Sequence, residues 1–200
     1  MSAMFPRPRR SLTARLAAAP AAIALGLLAV PPAPAVEFTQ VQPAQSRIAF
    51  TYQQIGVKME GGFRKFGAQL AFDPAQPAAA RAAFDIDLAS IDTGSSDGDH
   101  EVAGATWFNT KAFPTARFVT SGVKALGGNR YEFAGKLTIK GRTRDLIVPA
   151  TFSAQGKSGA IDGGFVLRRG DFAIGEGEWA AFDVIANEVQ VRFHIAATAQ

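Results

Sequence analysis

The sequence predicts a single all-β domain of short antiparallel strands, with one short helix or lid segment. Apolar and polar residues alternate with a period of two in several short runs, and turn-forming residues separate these runs. After residue 35, only the stretch 97–112 has a sequence pattern that is compatible with a helix. Such alternation is typical of strands that bury one face, and many short strands favour a sandwich or a closed barrel.

The alternating runs follow one another along most of the chain. Ile48, Phe50 and Tyr52 alternate with polar or small residues, and the stretch 84–88 places aspartates between apolar residues. Turn-forming residues then punctuate the chain at Asp73-Pro74 and, later, at Gly141 and Gly175. The remaining runs carry Tyr131, Phe133, Gly135, Leu137 and Ile139; Leu146, Val148, Ala150 and Phe152; Phe165 and Leu167; and Val189, Val191, Phe193 and Ile195.

The segment 97–113 differs from the strands. Asp97 to Ala112 is predicted to hold a short helix with Val102, Trp107 and Phe108 on or near one side. It follows a polar stretch at 95–98 and offers large apolar side chains. Two interpretations stay open: a mobile lid over one end of the barrel, or a fixed plug in it.

The first 35 residues are arranged like a secretory signal peptide. Met1 to Arg15 is basic without an acidic residue, Leu16 to Val30 is almost wholly apolar, and Ala33-Pro34-Ala35 supplies small residues at the A-x-A spacing. The apolar run is shorter than the roughly 20 residues that a membrane-spanning helix needs. We therefore expect cleavage after Ala35, export to the periplasm and a mature domain of residues 36–200, with an uncleaved membrane anchor as the alternative.

The excess positive charge lies in this leader. The chain has 21 Lys and Arg against 17 Asp and Glu, and four of the arginines but none of the acids precede residue 36. Residues 36–200 are therefore neutral and give no reason to expect a nucleic-acid partner. The chain contains no Cys, which excludes thiol catalysis, zinc sites built on Cys, and disulfides, so the core must supply the stability.

Five strings of residues, in order along the chain, resemble the YceI-like polyisoprenoid-binding family. They are Gly62–Phe66 followed by Leu70–Pro74; Ser90–Gly94 followed by Trp107-Phe108; Phe113–Phe118; Gly135–Thr143; and Arg169–Gly175. The resemblance implies a lipocalin-like antiparallel barrel, often exported, that holds an isoprenoid or another long-chain lipid. It implies no catalytic activity, cofactor or metal.

The phenylalanines are the residues best suited to line such a barrel. All of the 16 Phe except Phe5 lie after residue 35, and Phe supplies a large apolar area without a polar tip. A barrel of about eight strands has room for one small ligand, although the same residues would also suit a solid core. The residues predicted to contact the ligand are Phe50, Tyr52, Phe63, Phe66, Phe84, Ile86, Leu88, Trp107, Phe108, Phe113, Phe118, Phe133, Leu137, Ile139, Phe152, Phe165, Leu167 and Phe193.

Three arginines are candidates for binding a ligand head group. Arg142 and Arg144 flank the turn at Gly141, and Arg169 follows the run that contains Leu167. A guanidinium group suits a phosphate or a carboxylate. The alternative is that these arginines are solvated surface residues, and a quinone or neutral lipid would need no cation.

Two other classes of function remain as alternatives. A hydrolase or a metal-dependent enzyme would use His100 with the neighbouring acids Asp97, Asp99 and Glu101; however, two distant histidines without Cys fall short of the usual zinc ligand set. His194 is predicted to be exposed, because it alternates with Phe193 and Ile195. A small outer-membrane barrel would need aromatic girdles, for which two Trp and two Tyr are few.

We therefore expect an exported, non-catalytic protein that holds a long apolar ligand, such as a polyisoprenoid, a quinone or a fatty-acyl lipid. A monomer and a homodimer both fit this role, and so does transient contact with a membrane.

Overall fold

The computed structural model describes residue 1 and residues 36–200. The predicted signal peptide, residues 1–35, lies outside the described residues except for Met1. None of the helices in the described part of the chain is long and apolar enough to cross a membrane.

Eleven strands and one α-helix make up residues 36–200. The strands are β1 (Phe38–Val41), β2 (Arg47–Gln54), β3 (Val57–Phe63), β4 (Phe66–Ala71), β5 (Arg81–Asp87), β6 (Ile91–Asp92), β7 (Thr115–Gly127), β8 (Arg130–Ile139), β9 (Arg142–Gln155), β10 (Ser158–Arg168) and β11 (Glu188–Ala199), and the helix is α1 (Ser96–Ala103). Single turns of 3-10 helix lie at Pro43–Gln45, Pro77–Ala79, Leu88–Ser90, Arg169–Phe172 and Gly177–Trp179.

The strands form one antiparallel ring. β3 and β4 are two parts of one bent strand, since only Arg64 and Lys65 separate them, and β5 and β6 are likewise two parts of another. The two bent strands stay paired across the bend, where the Arg64 N–H donates to the Ser90 carbonyl and the Asp87 N–H to the Lys65 carbonyl, at 3.0 and 3.1 Å.

With each bent strand counted once and the short β1 left out, the described residues form eight barrel strands. Their order is β2, β3–β4, β5–β6, β7, β8, β9, β10, β11 and back to β2. The prediction of an all-β barrel of about eight strands is confirmed.

Tight turns connect consecutive strands at several points. Ile55-Gly56, Gly128-Asn129 and Lys140-Gly141 each join two strands, and all six residues have a positive φ. Two successive residues with positive φ are the mark of the type I′ turn, whose twist matches that of the flanking strands. Asn and Gly adopt this conformation readily, whereas the β-branched Ile55 does not.

One end of the barrel, here called the closed end, is filled by aromatic rings. Phe72 is fully buried and packs edge-on against Phe152 and Tyr131, with ring centroids 5.0 and 5.2 Å apart. Phe38, at the start of β1, packs on Phe152 and exchanges two backbone hydrogen bonds with Phe72. The short β1 therefore seals this end with side chains and with backbone pairing.

Two neighbouring barrel strands separate over half their length. β9 and β10 are paired from Gln155 and Ser158 only as far as Ala150 and Gly163. Beyond that point, 142–149 pair only with β8 and 164–168 only with β11. An outer cleft of about 380 Å³ lies at this gap.

The predicted short helix is present. α1 begins at Ser96 and ends at Ala103, where Gly104 caps it, and 104–113 continues as turns and irregular chain. Leu88, predicted within a strand, begins a 3-10 turn because the Asp87 carboxylate accepts a hydrogen bond from the Ala89 N–H. His194 is exposed, as predicted, and its Nδ1 lies 2.6 Å from the Asp162 carboxylate.

Replacing Phe72 by Ala tests the packing of the closed end. The substitution leaves a cavity among the rings of Tyr131, Phe133 and Phe152, so we expect the free energy of unfolding to fall by about 3–5 kcal/mol. Urea denaturation of residues 36–200 measures this change. Val119→Ala on the exposed outer face of β7 is the control and is expected to change it by less than about 0.5 kcal/mol. A loss below about 1 kcal/mol for Phe72→Ala would contradict a packed core at this end.

Candidate ligand cavity

The inward side chains of the barrel strands enclose a cavity of about 310 Å³ between the closed end and α1. This volume lies at the lower end of the range of about 300–1,000 Å³ that is typical of small-molecule sites. Since the strands alternate, each contributes every second residue to the wall. On β11, for example, Val189, Val191, Phe193 and Ile195 all face the cavity.

The structure brings most of the predicted ligand contacts to this wall. Those that line it are Phe50, Tyr52, Phe63, Phe84, Ile86, Leu88, Trp107, Phe108, Phe118, Phe133, Leu137, Ile139, Phe165, Leu167 and Phe193. Phe66, Phe113 and Phe152 do not. Phe152 belongs to the closed end, and Phe113 packs over the turn at Gly141 instead.

Sequence reasoning missed part of the wall. Val189, Val191 and Ile195 share the alternation of Phe193, so the pattern itself contained the signal. Ile174, Trp179 and Ile185 come from the irregular segment 169–187, where no periodicity identifies the side that a residue faces. The other wall residues that were not predicted include Ile48, Leu70, Val102, Val148, Ile161 and several smaller side chains.

The segment 93–113 forms the wall opposite the closed end. Ser95 caps α1 by accepting from the Gly98 N–H, and the Asp99 carboxylate accepts from both the N–H and the hydroxyl of Thr93 at 2.6 and 2.8 Å. These hydrogen bonds, chiefly the one from the Thr93 backbone, hold the pKa of Asp99 below its usual value. The carbonyl of Thr106 accepts from the N–H groups of Gly175 and Glu176, which ties this segment to 169–187.

Arg169 is the most deeply buried charged residue at the cavity. It is only 2% exposed, so the interpretation as a solvated residue is wrong for this arginine. Its five N–H groups donate to the backbone carbonyls of Ile174, Gly175, Trp179, Ala181, Ile185 and Ala186, at 2.8–3.3 Å. Burial lowers the pKa of the guanidinium group from its usual value, but an arginine stays protonated in proteins.

The surroundings of Arg169 explain why a charge is tolerated beside an apolar cavity. Its guanidinium lies 5.4 Å from the ring of Trp107 and 4.7 Å from that of Phe182, within the range of cation–π attraction. Six carbonyl dipoles and two aromatic faces replace water and a counter-ion. The group therefore organises the loop 169–187 and has no N–H left for a ligand.

The other two head-group candidates lie outside the cavity. Arg142 is exposed at the start of β9. The pKa of the Glu176 carboxyl is lowered mainly by Lys140, and the charge of Arg142 adds to this effect. Arg144 is exposed and borders the outer cleft between β9 and β10. Neither guanidinium is among the residues that line the cavity, although Leu137, Phe165 and Leu167 line both the cavity and the cleft beside Arg144.

The cavity opens to solvent between the end of β2 and α1. Gln54 and Glu101 are the only exposed residues among those described as lining it, and both lie at this opening, here called the mouth. Tyr52 lies beside them with its hydroxyl 3.5 Å from the Thr93 carbonyl. Burial and, to a lesser degree, the charge of Asp99 raise the pKa of Tyr52, so its hydroxyl stays protonated.

The residues considered for a catalytic or metal site do not form a cluster of metal-coordinating side chains. Within the described residues, no three His, Asp or Glu side chains converge in a way that could hold a metal ion. His100 is exposed on α1.

Comparison with known proteins gives consistent matches. The profile of the YceI-like domain matches residues 40–197. A UPF0312 protein of Azotobacter vinelandii is 30% identical over 164 residues, which cover 77% of this chain and 85% of that protein.

Solved structures match as well. BcnA of Burkholderia cenocepacia is 42% identical with a TM-score of 0.78, over 80% of this chain and 100% of that chain. A polyisoprenoid-binding domain from Saccharophagus degradans, implicated in plant cell wall breakdown, superposes with a TM-score of 0.63 over 82% of this chain and 99% of that domain. At 13% identity, it shows a shared fold.

Replacing Arg169 by Lys tests the role of the buried guanidinium. An ammonium group has three N–H donors for six carbonyls, so we expect the free energy of unfolding to fall by at least about 2 kcal/mol. Faster amide exchange in 169–187 should accompany the loss. Arg168→Lys, on an exposed neighbour that pairs with Glu188, is the matched control. Equal stability of the two variants would show that the carbonyl contacts of Arg169 are dispensable.

Proposed function

The chain belongs to the YceI-like domain family, and on that premise we propose that it is a lipid-binding protein that holds a long apolar ligand in its barrel without changing it chemically. A polyisoprenoid, a quinone and a fatty-acyl lipid all have the required chain. The proposal includes export to the periplasm, which the basic start, apolar run and small-residue site of residues 1–35 support.

The observation that carries this proposal is the nearly unbroken apolar wall of the cavity. Polar side chains occur in it only near the mouth, at Tyr52, Gln54, Thr93 and Glu101, and at the saturated Arg169. A site for a polar molecule would need several convergent polar groups deeper in the barrel. The shared fold with the polyisoprenoid-binding domain of Saccharophagus degradans supports the same ligand class.

Burial of an apolar tail provides enough free energy for useful affinity. Each buried CH₂ group contributes about 0.8 kcal/mol, so three five-carbon isoprene units contribute about 12 kcal/mol. Association costs about 4–15 kcal/mol; at the low end of this range about 8 kcal/mol remains, which corresponds to a micromolar Kd. At that cost, tail burial alone retains the ligand without ionic contacts.

The outer face of the barrel favours this proposal over a small outer-membrane barrel. Arg117 pairs with Asp85 at 2.6 Å, and Lys136 pairs with Asp145 at 2.7 Å, both on outward positions of neighbouring strands. Charged side chains on a lipid-facing surface are costly near the middle of a bilayer. An enzyme is disfavoured because, of the acids near His100, Asp99 is hydrogen-bonded to Thr93, and Asp97 and Glu101 are exposed to solvent.

Native mass spectrometry and solvent extraction of purified residues 36–200 test the proposal directly. Val191→Trp fills the cavity from β11, so we expect it to carry much less co-purifying lipid than the unmodified protein while remaining folded. Gln190→Trp adds the same ring to the outer face of the same strand and should leave the lipid content unchanged. A full lipid load in Val191→Trp would show that the ligand lies elsewhere, and the absence of any bound or acquired lipid would overturn the proposal.

Exchange of a lipid requires contact with a membrane, and an exposed apolar patch adjoins the mouth. It consists of Ile55, Val57, Phe182 and Val184, here called the mouth patch, all of which are exposed. The β2–β3 turn and the 169–187 loop are joined here, since the Ile55 N–H donates to the Val184 carbonyl at 2.7 Å. The patch therefore forms one surface beside the mouth of the cavity.

Ile55 points to a function for this patch. It is 73% exposed and has a φ of 49°. A β-branched residue is unfavourable in this conformation by about 1–2 kcal/mol, and Asn is the usual choice at the first position of such a turn. An exposed apolar side chain retained against backbone preference suits insertion into the surface of a bilayer.

Ile55→Asn separates stability from membrane contact. We expect the free energy of unfolding to rise by up to about 1 kcal/mol, since Asn fits the turn. Transfer of a fluorescent farnesyl probe from phosphatidylcholine vesicles should slow by about three- to ten-fold, because apolar area no longer enters the membrane. Leu126→Asn, at an exposed position near the closed end, should not slow it. Unchanged transfer by Ile55→Asn would exclude the mouth patch as the contact surface.

A further inference from the structure

The gap between β9 and β10 adjoins the ligand cavity. Leu137, Phe165 and Leu167 line both the cavity and the outer cleft at the gap. Phe165 and Leu167 belong to the part of β10 that does not pair with β9, and both are only half-buried. A single layer of side chains therefore separates the cavity from the cleft.

Arg144 occupies an inward position of β9 beside this gap. It is the direct cross-strand partner of Leu137, and such partners point to the same face of a sheet with their Cβ atoms about 5 Å apart. Val148 follows in the same alternation of β9 and lines the cavity. The side chain of Arg144 therefore starts on the inner face of the wall, and it is exposed where it borders the cleft.

The guanidinium of Arg144 is available to a ligand. Within the described residues, its one hydrogen bond goes to the carbonyl of its own neighbour Thr143, at 3.0 Å, and it forms no ion pair. Arg169, by contrast, uses its N–H groups within the protein. A guanidinium with free N–H groups can bind a carboxylate through two parallel hydrogen bonds.

The acids at the cleft leave the charge of Arg144 only partly balanced. Asp145 pairs with Lys136 at 2.7 Å, and Glu188 pairs with Arg168 at 3.5 Å. Asp171 is the third acid that borders the cleft, and it offsets part of the positive charge. A group with a single negative charge therefore fits this cleft better than a diphosphate.

We infer that the gap between β9 and β10 is a second opening of the cavity, at which Arg144 binds the carboxylate of a ligand whose apolar tail lies inside the barrel. The ligand class is a long-chain carboxylic acid. This inference rests on the proposed function and narrows it, because it selects one head group among the apolar molecules that the cavity could hold.

The charges at the two openings explain why the carboxylate lies at the gap. At the mouth, Glu101 is exposed, and the lowered pKa of Asp99 keeps a second carboxylate ionised nearby. Both acids repel an anionic head group. Inside the cavity, a carboxylate would lose its hydration without gaining a donor, since the N–H groups of Arg169 are already used. At the gap it keeps contact with water and gains a guanidinium.

Oleate and oleyl alcohol share one tail and test the contact with Arg144 on residues 36–200. Displacement of the apolar fluorophore N-phenyl-1-naphthylamine at low salt and about pH 8, where a carboxylate is ionised, gives the affinity of each. Arg144→Met removes the charge but keeps an apolar stem. We expect it to weaken oleate binding by about five- to ten-fold, between the values of an exposed ion pair and a charged hydrogen bond, and oleyl alcohol binding by less than about two-fold.

Arg192→Met is the matched control. Arg192 is exposed on an outward position of β11, between Val191 and Phe193, which line the cavity. Its replacement should leave the affinities for oleate and oleyl alcohol unchanged.

A second measurement locates the head group. The chain has no Cys, so a fluorophore can be attached through Val166→Cys at the cleft or through Gln54→Cys at the mouth. Stearic acid with a nitroxide next to its carboxylate should quench the fluorophore at the cleft more strongly than the one at the mouth. Stearic acid with the nitroxide at the far end of its chain should show a smaller preference.

Each outcome decides the inference. Unchanged oleate binding in Arg144→Met, or equal losses for oleate and the alcohol, would overturn the contact between Arg144 and the carboxylate. Stronger quenching at the mouth, or the same preference for both nitroxide positions, would overturn the second opening. Binding of the alcohol without binding of oleate would overturn this inference alone, whereas failure of both to bind the unmodified protein would overturn the proposed function itself.

Discussion

The closure of the strand ring at Arg64–Lys65 determines where the inward side chains lie. At this bend the chain leaves its partner β2 and begins to pair with β5, so that the first and last parts of the sheet meet. Ser90 keeps the bend paired, because its carbonyl accepts a hydrogen bond from the Arg64 N–H and its hydroxyl oxygen accepts one from the Lys65 N–H. Once the ring is closed, alternate residues of every barrel strand share one interior, and their sizes decide whether it is filled or hollow.

The two ends of that interior are stabilised by different interactions. At the closed end, aromatic rings pack edge to face and leave no room, as in an ordinary core. At the other end, backbone dipoles around Arg169 hold an irregular loop in place of a strand. Because the guanidinium fixes this loop through its carbonyls, the loop's side chains, including Trp179 and Ile185, are free to form the wall and the mouth.

Much of this arrangement could be read from the sequence, for reasons specific to strands. A period of two identifies which residues share a face, so the runs that contain Leu88, Ile139 and Phe193 predicted most of the wall. It does not give the position of a residue along the barrel axis, and Phe152 therefore appeared equivalent to Phe133. The bent strands also could not be anticipated, because pairing across Arg64–Lys65 is a long-range property.

The loop 169–187 marks the limit of such reasoning. Arg169 stands in the sequence as one of many arginines, and only its six carbonyl partners reveal its structural role. Features of this kind arise from segments that meet only after folding.

The separation of β9 and β10 has a consequence for the behaviour of the protein at high concentration. Two unpaired strand edges inside a sheet can act as templates on which a strand of another molecule adds. Here the ladder stops at Pro149, which has no N–H to donate, and exposed charges at Arg144, Asp145 and Arg168 flank the open edges. The barrel can therefore keep a gap in its wall while discouraging aggregation by edge-to-edge strand addition.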